Sequence, residues 1–258
     1  MFLDARHALI TGAAGAVGSA LAEVIAARAP GIRLSLVDKD EEGVAAVVAR
    51  LGGRARALAW DLSKPNDLAA AWEDATRDGK VDVLVNCAGI MELRTFAATP
   101  WSLGSLLLDV DLVSPLRLMS LAVPAMREEG HGLVVNVASM AGLVPLRGSA
   151  YYGAAKAGLA MASEIARLEL ARHGVHVVTV YPGPVASGLE RRARAQVGSS
   201  WTARAIPTGK ASELAERIAR AAERRQPRVI YPSVYAGAAE VLSVARRFTE
   251  RFSPAPLE

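Results

Sequence analysis

Ala8-Leu9-Ile10-Thr11-Gly12-Ala13-Ala14-Gly15-Ala16-Val17-Gly18 is the stretch that decides the fold. Its apolar start reads as a short strand, its glycines as a turn, and Ser19 to Ala29 as an amphipathic helix stopped by Pro30-Gly31. In that context glycines turn the chain tightly and let its backbone approach a pyrophosphate, whose charge favours a helix N-terminus. An ordinary glycine-rich turn between strand and helix reads the same way, so the next unit matters. Leu34-Ser35-Leu36-Val37 is a second strand, closed by Asp38 twenty residues beyond Gly18. A carboxylate there accepts both ribose hydroxyls of the adenosine half of NAD and repels a 2′-phosphate. The glycine turn holds no Arg or Lys, although Lys39 follows Asp38. The residues favour NAD, with NADP as the alternative.

The alternation continues outward from this pair. Ala55, Leu58, Ala59 and Trp60 lead to Asp61-Leu62, and Asp67 to Thr76 reads as a helix stopped near Gly79. Asp61 is placed either to bond an adenine amine or to cap the turn before Ser63-Lys64-Pro65. Val81 to Val85 delivers Asn86-Cys87-Ala88-Gly89, whose small side chains let a cofactor pass close. A helical stretch over 101–128 precedes the apolar run Leu133 to Ala138, which ends at Ser139. A helix over 149–172, a strand over Val175 to Val180 leaving at Pro182-Gly183, a helix over Glu213 to Arg225 capped by Ser212, and a strand over Arg228 to Tyr231 complete the pattern. Strands alternating with helices predict one doubly wound, Rossmann-type α/β domain over 1–258, with about seven mainly parallel strands and helices on both faces.

Composition narrows the function. The 258 residues carry 30 basic and 26 acidic side chains, a net charge of only +4 without aromatic interleaving, which argues against nucleic acid as a partner. A single cysteine, Cys87, excludes an internal disulfide framework and fits a reducing, cytoplasmic setting. With no histidine nearby in sequence it reads as a packed small residue rather than a nucleophile. His176, inside an alternating strand, likewise reads as structural. Met1 to His7 runs into the first strand too soon for a signal peptide, and no uncharged apolar run is long enough for a bilayer. No metal site is expected.

Chemistry concentrates at Tyr151-Tyr152-Gly153-Ala154-Ala155-Lys156. On a helix Tyr152 and Lys156 share one face, one turn apart. The ammonium favours the phenolate, so Tyr152 is expected to titrate nearer neutrality than the free value of about 10. Such a pair also arises as surface packing on many helices. Ser139, thirteen residues before Tyr152, ends a buried strand where open parallel sheets bind ligands. Tyr151 meets Ala155 four residues on and reads as packing.

Taken in order, Thr11-Gly12 to Gly18, Asp38, Asp61, Asn86-x-Ala88-Gly89, Ser139, Tyr152-x-x-x-Lys156 and Pro182-Gly183 make the chain resemble the short-chain dehydrogenase/reductase family over about residues 6 to 235. The resemblance implies that Ser139 orients the substrate oxygen, that Tyr152 is the general acid and base, and that Lys156 tunes Tyr152 and holds the nicotinamide ribose. It adds Asp111, where the family usually has an asparagine that holds a proton-relaying water; aspartate keeps the shape and adds a charge near Lys156. The implied catalytic set is therefore Ser139, Tyr152, Lys156 and Asp111. The implied cofactor contacts are Gly12, Gly15, Ala16, Val17, Gly18, Asp38, Asp61, Leu62, Asn86, Ala88, Gly89, Tyr152, Lys156, Pro182, Gly183, Val185 and Ser187. Ala16 stands where the family has a glycine, and Ser187 where it often has a threonine bonding the nicotinamide carboxamide.

The resemblance also implies a substrate lid around 188–209, where Arg191, Arg192 and Arg194 either attract an acidic group or form a solvated helix face. Trp201 and Ile206 would supply an apolar wall. Met91 to Phe96 and Leu143 to Arg147, mostly apolar, point to a hydrophobic secondary alcohol or ketone. A tail around 234–252 pairs an apolar stripe with Arg246, Arg247 and Arg251, which suits packing on the domain or a sister subunit better than a membrane surface. A homodimer or homotetramer joined through 101–128 and 149–172 is expected. Two other functions fit the same residues: an epimerase or lyase using NAD transiently, marked by cofactor that never exchanges, and a non-catalytic dinucleotide-binding protein.

Overall fold

The computed structural model describes residues 5–196 and 207–236. The strands are β1 (His7–Thr11), β2 (Arg33–Asp38), β3 (Ala55–Ala59), β4 (Val83–Asn86), β5 (Gly132–Val137), β6 (Val175–Pro182) and β7 (Arg228–Tyr231). They form one sheet in the order β3-β2-β1-β4-β5-β6-β7. Every neighbouring pair is parallel, as expected of strands joined by helical crossovers.

The helices are α1 (Ala16–Arg28), α2 (Glu41–Leu51), α3 (Leu68–Thr76), α4 (Trp101–Leu108), α5 (Ser114–Glu129), α6 (Ala150–Leu170), α7 (Gly188–Ala195) and α8 (Ala211–Glu223). Successive strand residues point to opposite faces, and two cores follow from that alternation. Ile10, Leu34, Val85, Val135 and Val178 pack with Leu21 and Ile25 of α1 and Leu214 and Ile218 of α8. Leu9, Leu84, Val134 and Val177 pack on the other side with Trp72 of α3, Leu118 and Met126 of α5 and Leu170 of α6. Full burial of one such side chain is worth about 1.5–3 kcal/mol. Burial on both faces is why these strands read as continuous apolar runs.

Local chemistry sets the ends of the elements. Asp40 caps α2 by accepting from Gly43 N at 2.9 Å, and Gly130, at φ 70°, stops α5 in the left-handed region. The stretch predicted as one helix over 101–128 is instead α4 and α5 joined by a π-helical turn, Asp109–Val113. The cap predicted at Ser212 falls at Lys210, one residue before α8. Trp201, Ile206 and the tail beyond residue 236 lie outside the described residues.

Strand order reverses between β1 and β4, which opens a crevice at the carboxyl ends of those strands. No described helix is long and apolar enough to cross a membrane.

Candidate active site

At the crevice, Gly12 leaves β1 at φ 69°, and a β-carbon there would lie 2.7 Å from Ala88 Cα in the loop after β4. Thr11 joins the same two loops, its hydroxyl accepting from Cys87 N and Ala88 N at 3.1 and 3.2 Å. Gly15 is the N-cap of α1 and supplies no side-chain cap, so the first-turn amides of Ala16 and Val17 stay available to an outside acceptor. Gly18 lets α1 settle on the turn, since a β-carbon would meet Gly12 O at 2.1 Å. Ala16 is only half-buried. Together these form a cradle that suits a pyrophosphate.

Asp38 ends β2 with its carboxylate already oriented, Oδ2 accepting from Ala14 N at 2.9 Å and Oδ1 from Asp40 N at 3.1 Å. Asp61 follows β3, exposed, and accepts from both the amide and the hydroxyl of Ser63 at 3.0 and 2.7 Å. Those two bonds, the hydroxyl's first, hold its carboxyl below the ordinary range. Asp61 therefore caps its turn, with further acceptor capacity for a ligand. Leu62 is buried, and its carbonyl accepts from Ser114 Oγ at 2.6 Å. The cradle, an oriented ribose-side carboxylate and the glycine-lined crevice fit a dinucleotide.

The catalytic candidates meet on the other side of the crevice. Ser139, Tyr152, Lys156 and Asp111 are all buried. Ser139 leaves β5, accepts from Ala141 N at 3.1 Å and hydrogen-bonds the Tyr152 phenol. Lys156 lies one turn beyond Tyr152 on α6, with Nζ 5.9 Å from the phenol ring centroid. It donates to Val137 O at 3.1 Å and pairs with Asp111 Oδ1 at 3.1 Å. The π-helical turn carries Asp111, which also accepts from Ile90 N at 3.3 and 3.4 Å. Gly89 makes room for this meeting: a β-carbon there would stand 2.7 Å from Asp111 Oδ1.

The lowered titration expected of Tyr152 is corrected by these surroundings. Burial pushes the phenol above its ordinary value; Lys156 pulls down, Asp111 pushes up, and Ser139 pulls down, with burial prevailing. The Cys87 thiol is likewise driven up by burial, to about 12, which suits the packing role read from sequence.

Pro182 ends β6, and Gly183 N donates to Tyr231 O at 2.7 Å. Val185 is buried and bridges to Gly209. Ser187 is the N-cap of α7, its hydroxyl accepting from Glu190 N at 3.1 Å, a task the sequence reading had not given it. His176 is held by Gln226 O at 3.1 Å, as a structural residue would be.

Sequence reasoning missed a buried amide chain beneath the site. Asn86 donates to Asn136 Oδ1 at 2.8 Å, Asn136 to Ser163 Oγ at 2.7 Å, and Ser163 to Leu159 O at 2.6 Å. The chain fastens β4 and β5 to α6, the helix that carries Tyr152 and Lys156. An amide inside the apolar run Leu133 to Val137 was its one available signal.

Fold and site define a dinucleotide-type α/β oxidoreductase. The sequence model described as short chain dehydrogenase matches residues 6–198, and the chain belongs to that family. The short-chain reductase protein NovJ of Streptomyces niveus is 35% identical over 189 residues, covering 70% of each chain. D-threitol dehydrogenase of Mycolicibacterium smegmatis is 32% identical over 212 residues, covering 81% of each. Among solved structures, a short-chain dehydrogenase from Sphingobium yanoikuyae in complex with NADPH is similar at a TM-score of 0.81 and 29% identity, with 96% of each chain covered.

Proposed function

We propose that this oxidoreductase interconverts a hydrophobic secondary alcohol and its ketone, with NAD as cofactor. The observation that carries the reading is the meeting of Ser139, Tyr152 and Lys156 across the crevice from the uncapped start of α1. A bound nicotinamide dinucleotide supplies the hydride for the carbonyl carbon, or takes it back from the alcohol. Tyr152 gives its phenolic proton to the carbonyl oxygen in reduction and recovers it in oxidation, as a positioned general acid and base. Ser139 orients that oxygen. Lys156, with two of its three donors directed to Val137 and Asp111, keeps one for the ribose.

Gly12, Gly15, Ala16, Val17 and Gly18 would hold the pyrophosphate, Asp38 the adenosine ribose, and Asp61 and Leu62 the adenine. Asn86, Ala88, Gly89, Pro182, Gly183, Val185 and Ser187 would line the nicotinamide half. The oriented carboxylate of Asp38 supports NAD; the NADPH bound to the Sphingobium relative supports the alternative. Substrate would enter beneath α7 in a single domain, against Leu93 and Leu143 to Arg147. The single, half-buried cysteine fits the cytoplasm. Exposed Trp101, Val113, Met161, Ile165 and Leu168 fit a homodimer or homotetramer joined through α4, α5 and α6.

Thermal-shift titrations with NAD⁺, NADH, NADP⁺ and NADPH test the cofactor. Saturation at about a hundred times Kd raises stability by roughly 2.7 kcal/mol, and the NAD pair is expected to give the larger shift. A larger shift with the NADP pair overturns the cofactor assignment. Tyr152→Phe is expected to keep cofactor binding and lose about 10²- to 10⁴-fold in turnover of secondary alcohols. Undiminished turnover overturns the catalytic reading.

A further inference from the structure

Asp111 and Lys156 are opposite charges 3.1 Å apart, 0% and 3% exposed. Removing both from water is costly unless each is further bonded, and both are: Lys156 through Val137 O and Asp111 through Ile90 N. The carboxylate is fixed by the π-helical turn on one side and by the loop after β4 on the other. It sits against Lys156, whose Nζ lies 5.9 Å from the Tyr152 ring centroid.

Resting on the alcohol–ketone reading above, we propose that Asp111 is a positioning residue that offsets part of the pull of Lys156 on Tyr152, and so shifts the pH at which the site changes from giving a proton to taking one. A lone ammonium stabilises a nearby phenolate; an ammonium closed onto a carboxylate presents a dipole, whose pull is weaker. Four groups act on the phenol or on Lys156. Lys156 lies on the same helix as Tyr152, and the Ser139 hydroxyl comes from the end of β5. Asp111 comes from the π-helical turn. The Cys87 thiol follows β4 and is kept neutral by burial. Of these Lys156 and Asp111 form the ion pair; burial raises the Asp111 carboxyl, against the charge and hydrogen bond of Lys156 and the bond from Ile90 N. Burial is the largest influence on Lys156 and opposes its charge, but the Asp111 charge, Tyr152 and the Asp111 hydrogen bond together outweigh it, so Lys156 holds its proton more tightly than usual. Burial and the Asp111 charge both work against a phenolate at Tyr152. The equilibrium between ketone and alcohol is unaffected; the pH dependence of both directions moves together.

The test is an ultraviolet titration of phenolate formation in the purified protein, with the Tyr152→Phe trace subtracted to isolate that tyrosine. In the unaltered protein the Tyr152 midpoint is expected above the free value of about 10. In Asp111→Asn, which keeps the shape and removes the charge, the midpoint is expected to fall by about one unit or more. The pH profiles of kcat/KM for alcohol oxidation and ketone reduction should move down by the same amount. A midpoint below the free value in the unaltered protein overturns the proposal, and that arm needs no variant of Asp111. An unmoved midpoint in a folded Asp111→Asn also overturns it, as does an equal loss of rate at every pH. The titration requires no turnover, so failure to bind any dinucleotide would sink the alcohol–ketone reading without deciding this one.

Discussion

Leu93 N donates to Gln196 Oε1 across 2.9 Å, joining positions 103 residues apart in sequence. Gln196 ends α7, and Leu93 lies in the loop after β4, so the bond ties α7 to the wall of the proposed substrate cleft. One such bond is worth about 1 kcal/mol net, or roughly fivefold in an equilibrium. Gln196→Ala is expected to raise KM about fivefold with kcat nearly unchanged. Steady-state kinetics check this, and an unchanged KM would show that the tie plays no part in substrate binding.

Asp38→Asn keeps the side chain's shape and removes its charge. Hydrogen bonds to charged groups contribute about 1.5–3 kcal/mol, so the Kd for NAD should rise about tenfold or more while that for NADP falls. Calorimetric titration with both cofactors reads the change. Equal affinities before and after would remove Asp38 from cofactor selection.

His7 is a buried base at the opposite end of the sheet, with Nε2 2.9 Å from Ser35 Oγ and Nδ1 3.3 Å from Gly79 O. Burial, ahead of the opposing Gly79 bond, lowers its affinity for a proton. The unfolded chain, titrating near the ordinary value of about 6.5, therefore takes up the proton first as pH falls. Stability should then decline below that pH, by at most about 1.4 kcal/mol per unit, and be fully present above it. Chemical denaturation between mildly acidic and neutral pH measures the slope, and His7→Gln should flatten it. A slope unaltered by that substitution would assign the acid sensitivity elsewhere.

Met161, Ile165 and Leu168 recur four and three residues apart on α6, leaving an apolar stripe in water. If this face joins subunits, Leu168→Glu should yield a smaller species in light scattering coupled to size exclusion while preserving the fold. A mass identical to that of the unaltered protein would exclude this face as the interface.

Much of the architecture was written locally. The glycine turn, Asp38 and the apolar runs ending at Asn86 and Ser139 each declare their position within a few residues, and the sheet brings them to the carboxyl ends of its strands. Tyr152 and Lys156 were legible because helical spacing fixes their neighbourhood. What escaped depended on distant partners. A π-helical turn has no periodic signature, so 101–128 read as one helix, and the resemblance alone put Asp111 near Lys156. The titration of Tyr152 was misjudged because burial is a property of the whole fold, whereas the Lys156 charge lies one turn away. Asn136 and Ser163 are separated by 27 residues, and only the packed sheet shows their bond.

The contact of Gly12 with Ala88 carries a consequence for how such a protein changes over time. Two loops meet there with no room for even a methyl group, so neither can be redrawn without the other. Asp38 and Lys39 stand at the rim, half-buried and exposed. A side chain at position 12 would push the loop after β4 aside, so any change tolerated at this inner seam has to be made in both loops at once.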